Sequence, residues 1–244
     1  MTTKHQWFSL VRRSLFALGC AGAATTALLV GETDANAQGR FGDKGQLAIT
    51  AENLFEFGTE RYGESVVNGE RSATVNHLGF LFSRCGASPR CQQVGASYFI
   101  MPSLSLGATI GYESRSGTNT STNNNGIVVT TTPPNDSTFV FVPKVGYALM
   151  LGQVVGFWFR GGLGYFYDGG SAANQDSNSY WFLSGDADLV VSPFQHWAFY
   201  AGPQFDLSFT GSHTEPAPMG ARVSWDASYR DFGVGVGIIG YVDL

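Results

Sequence analysis

The sequence predicts an all-β protein: a closed, antiparallel, up-and-down transmembrane β-barrel of eight strands with short periplasmic turns and long extracellular loops. Segments of ten or more residues alternate bulky apolar with small or polar side chains, which is the period of a β-strand. Glycine (32 residues) and aromatic residues (14%) are frequent and charged residues (14%) are few, which argues against disorder. Connections between the segments alternate between short turns and long polar loops, as in membrane barrels.

The clearest strand runs from Trp197 to Phe209. Its odd-numbered positions are apolar and mostly aromatic, whereas its even-numbered positions are small or polar. Its 13 residues exceed the roughly 9–11 that a tilted strand needs to cross the hydrocarbon layer of a bilayer.

Residues 1–37 have the features of a cleaved export signal, which leaves residues 38–244 as the predicted barrel domain. A basic start is followed by an apolar run and by the small-x-small pattern Ala35-Asn36-Ala37. Removal of the signal leaves 11 basic and 17 acidic residues. No basic patch remains, so we expect no nucleic-acid binding.

Eight strands account for the predicted barrel domain. In chain order they cover residues 46–57, 94–101, 104–113, 139–149, 155–167, 181–191, 197–209 and 227–244. Long loops are predicted between the first two strands and at 114–136, 168–178 and 210–224. A ninth crossing at the apolar segment 75–83 would place the 114–136 loop among the short turns. We therefore assign that segment to the first long loop, as an extension of a hairpin beyond the membrane.

Pro143 and Pro203 fall inside two of the predicted strands. Proline has no N–H to donate to a ladder, and within sheets it is confined to edges or bulges. We therefore expect bulges or local kinks at both positions.

The contents of the two strand faces predict which one lines the lumen. The interior of an eight-stranded barrel holds only side chains or one small ligand, which is too little space for most of the Phe and Trp residues. The apolar face is therefore predicted to meet lipid, and closure of the barrel satisfies the backbone. Aromatic girdles are predicted from Tyr112, Tyr165, Tyr167, Trp181 and Tyr229 at the long-loop end and Tyr98, Tyr147, Trp197 and Tyr241 at the short-turn end.

Charged residues on the lumen face form the candidate site. They are Glu52, Glu56, Glu113, Lys144, Arg160, Asp186, Asp188 and Asp206. Because buried charges need partners, we expect Lys144 and Arg160 to form salt bridges with the carboxylates and to plug the barrel. The alternative is a conducting path past Arg160 and Asp186.

Two further motifs resemble known chemical sites. Cys85 and Cys91 are predicted to form a short disulfide loop, since export permits a disulfide and Cys-x5-Cys without a second pair is a poor zinc signature. Gly235-Val-Gly237-Ile-Ile-Gly240 matches a dinucleotide fingerprint in its letters, but it lies in a strand without a following helix. We therefore expect no bound cofactor. The glycines are expected to relieve crowding inside a narrow barrel.

The chain resembles a known family in its short-turn hairpins and its last strand. The hairpins join Ala96-Ser-Tyr-Phe99 to Leu104-Ser-Leu-Gly107 and lead from Pro143-Lys-Val-Gly-Tyr147 into the next strand, and the last strand ends at Leu244. Over residues 45–244 the chain resembles the small eight-stranded outer-membrane barrels of the OmpA-transmembrane-domain and opacity-protein type. Members usually end in Phe, whereas this chain has Leu244. The resemblance implies an architecture and a bacterial outer-membrane location.

The sequence predicts a non-enzymatic, monomeric outer-membrane barrel with a structural, surface-binding or adhesion role. Its partners would be outer-membrane lipid and ligands bound by the extracellular loops, since loops on a filled scaffold are its variable surface. Three alternatives remain. They are a lipid-modifying enzyme with His77 or His213 beside a Ser or carboxylate, a narrow small-solute channel, and a soluble secreted ligand-binding barrel.

Overall fold

A computed structural model describes residues 40–66, 69–80, 89, 93–115, 119–122, 128–131, 136–170, 175–216 and 221–244. These residues form the strands β1 (Gln46–Val66), β2 (Gly69–Phe80), β3 (Gln93–Met101), β4 (Leu104–Arg115), β5 (Asn119–Thr122), β6 (Val128–Thr131), β7 (Asp136–Met150), β8 (Val155–Gly170), β9 (Ser177–Phe194), β10 (Trp197–Pro216) and β11 (Arg222–Asp243). Within these ranges no helix has the length and apolar character to span a membrane.

Eight of these strands close into a ring. Its order is β1, β3, β4, β7, β8, β9, β10 and β11, and β11 pairs again with β1. Each pairing around the ring is antiparallel. The predicted closed, up-and-down, eight-stranded barrel is therefore confirmed.

The strands extend further at the long-loop end than the sequence pattern predicts. β10 continues to Pro216 and β11 begins at Arg222, within the predicted loop 210–224. The predicted loop 114–136 contains the β5–β6 hairpin. The backbone hydrogen bonds of a strand do not depend on whether its side chains are polar or apolar. The polar composition of these segments therefore led to a loop prediction where the structure has strands.

The apolar segment 75–83 is described up to residue 80 and lies in β2. β2 pairs with the outer part of β1, from Phe55 opposite Phe80 onward, whereas the inner part of β1 pairs with β3. A bulge at Asn53, whose φ is 58°, lies between the two partners. β2 is thus a hairpin extension and not a ninth strand of the ring.

The apolar face points outward. Phe199 is 47% and Phe205 is 37% exposed, whereas Arg160 and Asp186 are buried. Tyr98, Tyr112, Tyr147, Trp181 and Trp197 are also exposed. The orientation predicted from the contents of the two faces is therefore correct.

Two of the predicted girdle tyrosines lie inside the barrel instead. Tyr229 and Tyr241 are buried, and the Tyr241 hydroxyl lies 2.7 Å from Ser192 Oγ. Both have odd numbers, like the inward-facing Gly233, Gly235 and Gly237 of the same strand. Strict alternation along β11 would therefore have predicted an inward position for both tyrosines.

Pro143 and Pro203 do not produce the expected bulges. The register on either side of Pro143 is continuous with both neighbouring strands, and the same holds for Pro203. Extended backbone accepts proline, so the missing N–H is a local loss that does not shift the strand.

Candidate functional site: the charged lumen

The short-turn mouth of the barrel is closed by an aromatic plug. Phe41, from the segment before β1, is 1% exposed. Its ring packs edge-on against Phe99 (5.4 Å between centroids), Trp158 (5.3 Å) and Tyr241 (5.5 Å). The turn needs Gly42, whose φ is 95°, a value that favours glycine. Sequence reasoning missed this plug, because a lone aromatic residue outside a periodic segment carries no signal.

Next to the plug, the lumen holds a network of ion pairs. Lys144 Nζ lies 3.1 Å from Glu52 Oε2 and 2.9 Å from Asp186 Oδ2. The Arg160 guanidinium lies 3.3 Å from Asp186 Oδ2 and 3.0 Å from Asp188 Oδ2, and it also pairs with Glu52 Oε1. The structure thus brings together five of the charged residues that the sequence placed on this face.

Aromatic rings and a hydroxyl complete the surroundings of the network. The Arg160 guanidinium carbon lies 4.5 Å from the centroid of Trp158 and 5.3 Å from that of Tyr200. Thr50 Oγ1 donates a hydrogen bond to Glu52 at 3.0 Å. A planar guanidinium stacks on aromatic rings and presents its donors in a fixed fork, whereas a lysine ammonium is a compact point charge.

The other candidate lumen charges lie nearer the long-loop end. Glu113 is half-buried opposite Thr138, toward the end of β4. Asp206 is buried and lines a cavity of about 10 Å³ together with Glu52, Lys144 and Asp186. A cavity of this size has room for about one water molecule. It does not form a passage.

A second apolar cluster fills the lumen on the long-loop side of the network. It consists of Val140, Val142, Phe166, Tyr180, Phe182, Ala227 and Tyr229, with Tyr62 packed against it. The described lumen is therefore filled in successive layers: aromatic plug, ion pairs and apolar cluster.

A histidine and several carboxylates gather where β1, β2 and β11 meet. His77 Nε2 lies 3.2 Å from Glu56 Oε1, and His77 Nδ1 lies 3.4 Å from Glu60 Oε1. Buried Asp231 lies directly opposite Glu60 in the ladder. The sequence placed His77 in a loop. Its approach to Glu56 depends on the pairing of β1 with β2, which residue alternation does not reveal.

Tyr62 lies further toward the long-loop end than this group. Its hydroxyl donates a hydrogen bond to Glu60 Oε2. Burial and the neighbouring Glu60 carboxylate raise the pKa of Tyr62. The phenol therefore stays protonated and acts as a donor.

His213 also lies on a strand, with its side chain buried. Its Nδ1 is 2.6 Å from Asn178 Oδ1 and its Nε2 is 3.1 Å from Glu215 Oε1. The ring stacks on Trp225 at a centroid distance of 6.2 Å. Both long-loop-end histidines thus lie beside carboxylates.

The glycines of the fingerprint-like sequence lie in β11. A Cβ atom at Gly235 would meet the side chain of Gln204 at 2.7 Å, and one at Gly237 would clash with the Tyr200 ring. At Gly240 the nearest atom, from Trp197, would be 3.9 Å away. Lumen crowding therefore accounts for two of these three glycines. The predicted signal 1–37 and the Cys85–Cys91 pair lie outside the described residues.

No protein-family model and no curated protein matches the sequence. Among solved structures, the chain is similar to the outer membrane protein AlkL in DMPC lipid bilayers, with a TM-score of 0.50 and 12% identity over 88% of this chain and 98% of AlkL. OprG from Pseudomonas aeruginosa gives a TM-score of 0.43 and 12% identity over 83% of this chain and 99% of that protein. Ail of Yersinia pestis gives a TM-score of 0.36 and 10% identity over 80% of this chain and 99% of that protein. The chain therefore has the fold of the small eight-stranded outer-membrane β-barrels.

Proposed function

We propose that the protein is a non-enzymatic outer-membrane β-barrel that serves as a structural or surface-binding element through its long-loop end. The observation that carries this proposal is the filled lumen inside an apolar exterior. A barrel that devotes its interior to packing and ion pairs leaves the exposed loop end as the surface available for partners.

The outward face supports contact with lipid. Its apolar belt ends on β1 and β11 near Phe57 and Phe232, which are both exposed. Beyond the belt, Arg61 and Arg230 lie opposite each other and are exposed. Like charges directly opposite are unfavourable in a sheet, and anionic headgroups of the outer leaflet would relieve this repulsion. Outer-membrane lipid is therefore the proposed partner of this face.

The filled lumen argues against the channel alternative. A solute entering from the short-turn end would have to displace Phe41 and then separate Arg160 from three carboxylates. Breaking a buried ion pair costs several kcal/mol, about 3–5. Such a barrier argues for a scaffold.

The surroundings of His213 argue against acyl transfer through a serine. The preceding residue, Ser212, pairs with Ser179 at 3.0 Å. Neighbouring residues of a strand face opposite sides, so Ser212 points away from the His213 ring. In the described part of the chain, neither His77 nor His213 forms a hydrogen bond with a serine.

Cell fractionation and a purified preparation in lipid together test the three classes of function. The protein should sediment with the outer membranes of fractionated cells, and the purified protein should change its gel mobility on boiling, as a folded membrane barrel does. It should give no single-channel steps in planar bilayers and release no fatty acid from phospholipid or lipopolysaccharide. Reproducible conductance steps would establish the channel instead, and released fatty acid would establish the enzyme.

A further inference from the structure

We propose that Glu56, His77 and Asp231 bind a divalent transition-metal ion of the Zn²⁺ class inside the long-loop half of the barrel. One ligand atom from each residue lies within 4.8 Å of the other two. Around a tetrahedral ion at ordinary bond lengths, ligand atoms are separated by roughly 3.4 Å. Small side-chain rotations would bring the three ligand atoms from their present separation to the separation found around a bound ion.

The ligand atoms approach each other without a well-aligned hydrogen bond between them. Glu56 is 2% exposed, and its Oε1 lies 3.2 Å from His77 Nε2. Even so, neither Glu56 Oε1 nor either ring nitrogen of His77 has a hydrogen bond among the described residues. Buried polar atoms are normally hydrogen-bonded. A buried carboxylate oxygen directed at the edge of an imidazole is therefore available as a ligand atom.

Carboxylates are concentrated at this position, which favours a cation. Glu60, Asp231 and Asp206 lie side by side on β1, β11 and β10, directly opposite one another in the ladders, and all three are buried. Like charges in such positions destabilise a sheet. In the described chain, His77 is the cationic partner of both Glu56 and Glu60. Protonated His77 would supply one positive charge, whereas a divalent ion supplies two.

The donor set selects the class of ion. One imidazole with two carboxylates suits Zn²⁺ and its first-row neighbours, whereas Mg²⁺ and Ca²⁺ prefer oxygen ligands alone. Glu60 or a water molecule would complete the coordination. Because the three ligands come from β1, β2 and β11, the ion would join the β1–β2 hairpin to the wall of the ring.

Titration of the purified full-length protein with Zn²⁺ in detergent micelles tests the site by calorimetry. We expect one ion per barrel. Glu56→Gln and His77→Ala each remove a ligand and should weaken Zn²⁺ binding at least about tenfold. Mutation of residues that only orient a metal's ligands already has an effect of this size. His196→Ala, at the short-turn end, is the matched control and should bind as the wild type does. Absence of Zn²⁺ binding by the wild type, or unchanged binding in both ligand variants, would overturn the site.

Chemical footprinting of the wild type tests the same site without any substitution. Diethyl pyrocarbonate modifies accessible imidazole nitrogens, and mass spectrometry locates the modified residue. Zn²⁺ should protect His77 and leave the reactivity of His196 unchanged. Equal modification of His77 with and without the metal, or protection at His213 alone, would refute the assignment.

Discussion

At the scale of single residues, Arg160 holds together the charges of the lumen. It contacts carboxylates from β1 and β9 and stacks near two aromatic rings. Arg160→Ala would leave these carboxylates with Lys144 as their remaining partner in the network. We expect a loss of about 3–5 kcal/mol in the free energy of unfolding, measured by urea titration of the barrel in lipid vesicles.

The matched control for this substitution is Arg71→Ala. The Arg71 side chain on β2 is 70% exposed, and exposed substitutions usually change stability by less than about 0.5 kcal/mol. Equal losses for the two variants would mean that the lumen network contributes nothing specific to stability.

At the scale of elements, the segment 40–45 behaves as a plug fixed to the barrel end. The Gly45 N–H donates to the Phe99 carbonyl at 2.8 Å, and the Ser103 N–H donates to the Gly42 carbonyl at 2.7 Å. Phe41→Ala would remove the ring on which three other aromatic residues pack. We expect a loss of about 3–5 kcal/mol, measured by the same unfolding titration.

Phe194→Ala provides the comparison at the same end of the barrel. Phe194 is 63% exposed, whereas Phe41 is 1% exposed, so the two truncations remove the same group from different surroundings. The plug would be only peripheral if Phe41→Ala cost no more than Phe194→Ala.

At the scale of the whole molecule, the outward apolar face implies a bilayer around the barrel. Val236 lies in the middle of this belt and Val242 lies at its short-turn edge, on the same strand and face. Arginine on the lipid face costs about 2–4 kcal/mol at mid-bilayer and about 0–1 near the interface. Val236→Arg should therefore be more destabilising than Val242→Arg when the barrel unfolds from vesicles. Two equal, negligible effects would favour a soluble barrel.

The sequence by itself determined the ring of eight strands and the face that each side chain presents. Alternation is a property of the extended backbone, so it can be read locally. It placed Phe199 outside and Arg160 inside, and it would also have placed Tyr229 inside had it been applied strictly.

The tertiary structure alone decided which lumen residues meet. Glu52 and Arg160 are 108 positions apart, and Phe41 reaches its ring partners from outside any strand. His77 reaches Glu56 because β1 changes partner at the bulge near Asn53. Which side chains come into contact depends on the register of each strand relative to its neighbours. That register arises from closure of the whole ring, so no local pattern in the chain records it.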